Sequence, residues 1–344
     1  MANAQKNGCN LSDIAHACGI SKGAASLALS DSPKISAATK KRVKRAAQEM
    51  GYKRIPVVSR VMSSIKSGAQ GGFLETIVLI NANKDRGAAK KYRVFEKYTA
   101  GILAEAREIG YAVYSVWLHD RHLAPEKLRG ALYSRGIRGG VIIGHTDDTF
   151  LPEKFAEIWR DFKFVSAGLR TFSPALDFVS ADKFLIARQA TEQVIKMGFR
   201  RPAMAIDAHI DDIVEGRFSG GYMRALLGIA PADRIPPFMR VAEAKTKPQI
   251  FFDWLEKAKP DAVFSVSTDA SEWLATEGVL KKIRARAKFI GAEEIGAGAD
   301  ENSELIGRFA VRKLFEILNA PSQLRDIAAA TATIVPPACR GHMQ

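Results

Sequence analysis

Cysteine is scarce. Three residues in 344, Cys9, Cys18 and Cys339, fall in no Cys-x-x-Cys spacing. They are too few for a disulfide framework, and the chain is expected in the reducing cytoplasm. No stretch approaches the ~20 uninterrupted apolar residues a membrane span needs, so no membrane partner is expected. The first twenty residues lack the basic start and apolar core of a secretory signal. The six histidines (His16, His119, His122, His145, His209, His342) form no His-Glu-x-x-His or Cys/His ligand spacing, so no metal site is expected. A Gly-x-x-x-x-Gly-Lys-Ser/Thr phosphate loop, a Gly-x-Ser-x-Gly elbow and a Gly-x-Gly-x-x-Gly after a strand are all missing. The acid pairs Asp147-Asp148, Asp211-Asp212 and Glu293-Glu294 are adjacent, and neighbours on a strand or helix point apart. Nothing here supports catalysis: no enzyme and no cofactor are expected.

Acidic residues are also in short supply, and unevenly so. The whole chain carries +14, with 51 basic against 37 acidic residues. Residues 1–66 hold twelve basic residues and only three acids (Asp13, Asp31, Glu49), a net +9. Such an asymmetry points to a polyanionic partner for this segment. A solvated basic tail would show low complexity and no apolar period, and this segment shows the reverse. Leu11, Ile14, Ala15 and Cys18 form one helical stripe that Asn10 can cap, and Gly19 stands where that helix should stop. Ser21 can cap a second helix with Ala25, Ala28 and Leu29 inward. Ser36 can cap a third with Val43, Ala46, Ala47 and Met50 inward and Lys40, Lys41, Arg42, Lys44 and Arg45 outward. Two short helices around Gly19-Ile20, followed by a third, make a helix-turn-helix unit.

Here the residues carry a resemblance. Leu11-Ser-Asp-Ile-Ala-x-x-Cys-Gly-Ile-Ser21, Ser26-Leu-Ala-Leu29, Ser32-Pro-Lys-Ile-Ser36, Thr39-x-x-Arg42-Val43 and Gly51-Tyr52 resemble, without a gap over about forty positions, the DNA-binding headpiece of the lac-repressor/galactose-repressor family. The resemblance implies that the second helix lies in a major groove. The DNA-facing residues would be Ser21, Lys22, Gly23, Ser26, Leu27, Lys34, Ser36, Thr39, Arg54 and Val61. Departures are visible. Ala24-Ala25 stands where the family usually has Thr-Val, and Leu27 where a polar or basic residue is frequent. Leu27 cannot hydrogen-bond a base and can only pack on an apolar group such as a thymine methyl; the alternative is a core leucine on a rotated helix. Lys53-Arg54-Ile55-Pro56 resembles the approach to the family's hinge helix, with the proline two residues late. Val57, Val58, Val61, Met62 and Ile65 repeat at helical spacing. Val61 matches the position that family members press into the minor groove; the alternative is an amphipathic linker that inserts nothing.

From Thr76 on, short apolar runs alternate with helical stretches. The strand candidates are 76–80, 112–116, 140–143, 164–167, 202–206, 262–266 and 288–291. The helix candidates are 94–109, 125–133, 184–197, 218–227, 249–257, 271–285 and 304–318. Repeated β–α alternation means parallel sheet with helices on both faces, and ligands in such folds bind outside the carboxyl ends of the strands. This part is similar, more loosely, to the family's effector domain. Phe178-Val-Ser-Ala-Asp182, Pro260-Asp-Ala-Val-Phe-Ser-Val-Ser-Thr-Asp269 and Ile306-Gly-Arg-x-Ala310 are among the segments that carry the likeness.

The expected fold is an N-terminal all-α helix-turn-helix headpiece plus an α/β two-lobed domain with parallel sheets, like a periplasmic binding protein. Residues 1–52 would be the headpiece and 53–72 hinge helix and linker. Residues 73–344 would bind the effector, with lobe one about 73–168 and 293–318 and lobe two about 169–292 and 319–340. The resemblance implies that Asp269 accepts hydrogen bonds from effector hydroxyls. Arg217 approximates the family's cleft arginine, one residue too far from Gly221-Tyr222. Asp269 could instead cap a helix, and Arg217 could be a surface ion-pair partner.

The expected function is a DNA-binding transcriptional regulator, repression being the family's commoner outcome. Its partners would be a pseudo-palindromic operator in double-stranded DNA, a second copy of the chain in a homodimer, and a small-molecule effector, a sugar or related metabolite. The absence of a heptad repeat after the last helix argues against a tetramerising tail. The alternatives are a transport-type receptor whose headpiece no longer reads DNA, and a sugar-processing enzyme with a basic arm.

Overall fold

Parallel strands joined through helices account for most of the chain beyond residue 75. The computed structural model describes residues 11–29, 32, 35–50, 75–88, 93–145, 149–295, 302–320 and 331–336. The chain divides into two compact units, residues 1–72 and 73–344.

In the first unit, α1 (Leu11–Ala17), α2 (Lys22–Leu29) and α3 (Ala37–Glu49) close on a small core. Ile14, Ala15, Cys18, Ala25, Ala28, Val43 and Ala47 fill it, with Ile20, Leu29, Ile35 and Ala46 against its edge. Gly19 ends α1 with φ +61°, a conformation that suits a residue without a Cβ. Met50, expected inward, is exposed: it stands at the C-cap of α3, past the last buried turn. Asn10, Gly51 and the whole of 53–72 lie outside the described residues.

In the second unit one sheet has six parallel strands in the order β2-β1-β3-β4-β5-β9: β1 (Glu75–Asn81), β2 (Tyr111–Trp117), β3 (Gly139–Ile143), β4 (Lys163–Ala167), β5 (Asp177–Ala181) and β9 (Ala332–Val335). β1 is buried on both sides, as an inner parallel strand must be. Ile77 and Leu79 join the layer of α4 (Arg93–Ile109) and α14 (Ser303–Asn319). Val78 and Ile80 join the layer of α5 (Pro125–Ser134) and α6 (Ala156–Asp161). The helices α4 and α14 meet backbone to backbone. A Cβ on Gly101 would fall 1.9 Å from the Glu304 carbonyl oxygen, and one on Gly307 2.3 Å from that of Tyr98. Buried Glu105 is held there by Arg312 at 2.6 Å and Arg308 at 3.2 Å.

The second sheet has three parallel strands, β6 (Pro202–Met204), β7 (Ala262–Phe264) and β8 (Lys288–Phe289). On one side lie α7 (Lys183–Lys196), α8 (Ala208–Asp212) and α9 (Arg217–Leu226). On the other lie α10 (Val241–Thr246), α11 (Gln249–Ala258), α12 (Thr268–Leu274) and α13 (Glu277–Arg284). Three sequence expectations need correction. β5 and β9, assigned to lobe two, lie in the first sheet, where β5 pairs with β4 on one side and with β9 on the other; Phe178–Ala181 is buried between its two neighbours. The helix expected over 271–285 is two helices, broken where the Thr276 hydroxyl turns back to donate to the Trp273 carbonyl. The strands expected at 202–206 and 262–266 end at Met204 and Phe264; Ile206 instead donates its N–H to the Phe238 carbonyl.

Candidate functional site

Two sites lie in the two units, and each is built from its own residues. In the headpiece, Ser21 Oγ accepts the Ala24 N–H at 3.1 Å and fixes the start of α2. That register sends Ala25 and Ala28 inward and leaves Ser21, Lys22, Gly23 and Leu27 exposed. Leu27 is 39% exposed and stands outside the core, so the rotated-helix alternative is not what the chain adopts. Ser36 Oγ accepts the Thr39 N–H at 3.2 Å and lies 2.9 Å from the Thr39 hydroxyl; Ser36 is exposed and Thr39 half-buried. Lys41, Arg42, Lys44 and Arg45 stand outward on α3. Ser26 lies on α2, but its side chain, like Lys34, Arg54 and Val61, is outside the described residues. The arrangement turns Lys22 and Leu27 of α2 outward beside the basic side chains of α3, which suits a groove bounded by phosphates.

The second site is a cavity of about 220 Å³ between the two sheets. Carboxyl ends of strands converge on it: Gly144-His145 after β3, Ala167-Gly168-Leu169 at the end of β4, Lys183 just past β5, and Val266-Ser267-Thr268 after β7. Phe95 and Tyr98 of α4, Ile210 of α8, Phe218 of α9 and Ser303 of α14 complete much of the wall. Asp182 accepts the Leu185 N–H at 2.9 Å and caps α7, which places Lys183 in the first turn, buried and 5.5 Å from the Phe218 ring centre.

His145 is also buried. Its Nε2 lies 3.0 Å from Ser166 Oγ and 3.3 Å from the Leu169 carbonyl oxygen, to which the Ser166 hydroxyl also donates. Burial pushes its pKa down to about 4, so the ring is neutral at pH 7. Its Nδ1 and the Ser303 hydroxyl are buried without a hydrogen-bond partner among the described residues.

The two side chains expected to hold an effector do not line this cavity. Asp211 Oδ1 accepts the N–H groups of Phe218 and Ser219 at 3.1 and 3.0 Å, and this sets α9 with Phe218 facing in. Arg217, about 100° away around the helix, faces a small neighbouring recess and reaches Glu215 at 3.7 Å. The extra residue in the spacing to Gly221-Tyr222 thus puts a phenylalanine on the cavity wall. Asp269 is the second residue of α12; its side chain is 61% exposed and pairs with Lys245 at 2.6 Å, while Ser267 and Thr268 line the cavity. The sequence reading missed His145, Lys183, Phe218 and Ser303. The usable signal was position: His145 and Lys183 each stand two residues beyond a parallel strand.

Among the described residues no cluster of three or more His, Cys, Asp or Glu could hold a metal, and no helix is long and apolar enough to cross a membrane. Residues 10–54 match the family described as bacterial regulatory proteins, lacI family. The chain is 28% identical over 230 residues to the maltose regulon regulatory protein MalI of Escherichia coli, covering 66% of this chain and 61% of that one, somewhat under two thirds of its length. It is 24% identical over 319 residues to the HTH-type transcriptional regulator MalR of Streptococcus pneumoniae, covering 90% and 92%. Among solved structures, a complex of the transcriptional regulator CelR with cellobiose superposes with a TM-score of 0.54 at 19% identity, over 96% of this chain and 98% of that one. The headpiece match is thus confined to residues 10–54, and the part of the chain beyond it shares the two-sheet fold of the CelR structure.

Proposed function

We propose that the chain is a sequence-specific transcriptional repressor that holds a pseudo-palindromic operator as a homodimer, and that a small molecule in the cavity between its sheets sets its operator affinity. One observation carries the reading. A closed headpiece core turns Lys22, Gly23 and Leu27 outward from α2, on a segment whose net charge is +9. Two such headpieces related by a two-fold axis would read half-sites about one helical turn apart. A ligand that prefers one arrangement of the two sheets shifts the population competent for DNA by its differential affinity, and no more. One reading of that ligand is a sugar or related hydroxylated metabolite, as in the CelR–cellobiose complex. No catalytic role is assigned to any residue. The regulators MalI and MalR among the relatives favour this reading over a transport-type receptor with a silent headpiece.

The test is selection of bound duplexes from a random library by the full chain. An enriched palindrome with half-sites one turn apart is expected. A pool that stays random after repeated rounds contradicts the reading.

A further inference from the structure

The cavity wall has a chemistry of its own. Side chains that present two polar atoms side by side (Asp, Glu, Asn, Gln and Arg) match the adjacent hydroxyls of a polyol. None of these lines the cavity among the described residues. The wall is instead mostly apolar, with Phe95, Leu169, Ile213, Val214, Phe218 and Val266 prominent. The one charged side chain among the described lining residues is Lys183, set against the face of Phe218.

Two of the lining residues each carry a buried polar atom that is unpartnered among the described residues. Ser303 is the first residue of α14, a helix of 17 residues, so its hydroxyl stands at the positive end of a helix dipole. The second is His145 Nδ1. The Leu169 carbonyl can only accept, and Ser166 gives it a proton, so the hydrogen of the neutral imidazole sits on Nε2 and Nδ1 is a bare lone pair. Buried polar atoms are almost always paired, so the Ser303 hydroxyl marks a place that an acceptor on a ligand completes; the Nδ1 lone pair is itself an acceptor and adds nothing to the hold on an anion. The volume sets the size. A 150 Å³ cavity accommodates benzene, so about 220 Å³ suits on the order of ten heavy atoms, and a disaccharide is about twice as large.

Resting on the regulator reading, we propose that the effector is an amphipathic monocarboxylate: an aromatic or aliphatic body against the apolar wall and one carboxylate held by Lys183 and the Ser303 end of α14. A carboxylate gains charge-assisted hydrogen bonds there, and a neutral isostere of the same shape does not.

The test is calorimetric titration of the full chain, without DNA, with 3-phenylpropanoate and octanoate, their uncharged amides, glucose and cellobiose. Either acid is expected to bind at least about tenfold more tightly than its amide and than either sugar. Lys183→Met is expected to erase the preference for acid over amide while the amide affinity stays within about twofold. Ser303→Ala should weaken the acids more than the amides, and it serves alone if Lys183→Met fails to fold. Four results would overturn the proposal: a sugar binding more tightly than both acids, acid and amide binding equally, no binding of either acid, or a Lys183→Met protein that keeps the acid preference. Since no DNA is present, these outcomes are independent of the operator selection. A random pool there refutes the regulator reading and leaves the ligand class standing, and the reverse also holds.

Discussion

Leu27 keeps an apolar side chain on the outside of a bundle whose core is mostly alanine. An exposed side chain contributes little to folding, so Leu27→Ala should change headpiece stability by less than about 0.5 kcal/mol. If Leu27 packs on a thymine methyl, the same variant should lose roughly 1 kcal/mol of thymine-over-cytosine discrimination at one operator position. Competition binding on the selected duplex, beside a thermal melt, separates the two roles. A lowered melting temperature with discrimination intact would make Leu27 a packing residue. His145 yields a prediction in pH. Its pKa is about 4 folded and near 6.5 unfolded. Between those values the unfolded chain takes up a proton that the folded chain refuses, so stability rises with pH through this window and is lost as pH falls. The gap corresponds to roughly 3 kcal/mol. His145→Gln should lose that component, so the stability difference between native and variant, followed by urea unfolding, should move in the variant's favour from pH 7 to pH 4. A pH-independent difference would show that the imidazole is not held neutral.

At the scale of elements, α4 and α14 cross where neither has room for a side chain. Gly101→Ala gains up to about 1 kcal/mol of helix propensity but drives a methyl into the Glu304 carbonyl, and overpacking of that kind costs about 1–3 kcal/mol or more. A net loss is expected. Gly130 on α5 is the control, because a Cβ there meets nothing within 4 Å. Gly130→Ala should therefore stabilise by up to about 1 kcal/mol. Denaturant midpoints of the two variants check both signs, and a destabilising Gly130→Ala would show that helix propensity is not what governs that position. The elements most legible in the sequence were those with a strong period or a fully buried run. β1 reads Thr-Ile-Val-Leu-Ile, and α4 and α14 carry long amphipathic stripes. β9 was not legible, since it is an edge strand in which Val335 alone is buried. The short helices α6, α8 and α10 have too few turns to show a period. The break at Thr276 turns on a side-chain hydroxyl bond that periodicity does not register.

At the scale of the whole molecule, the headpiece was legible and the cavity was not, for one physical reason. The headpiece is a local structure, so its caps, stripe and exposed face all fall within forty residues and spacing alone orders them. The cavity gathers His145, Lys183, Phe218, Thr268 and Ser303 from strand and helix ends far apart in the chain, and no spacing predicts their meeting. Arg217 and Asp269 were read one residue from the wall because helix register, set by Asp211 at the start of α9 and by the Ser267 start of α12, decides which neighbour faces in.

In the proposed reading the N-terminal segment 1–66, of net charge +9, grips the DNA backbone while α2 reads bases. Salt dependence tests it most directly. Two such segments in a dimer would neutralise about 8–10 phosphates, which gives a slope of log K against log salt of roughly −7 to −9 on the selected duplex. A slope shallower than about −3 would contradict the claim, because too few phosphates would then be in contact for this segment to be the DNA-binding surface.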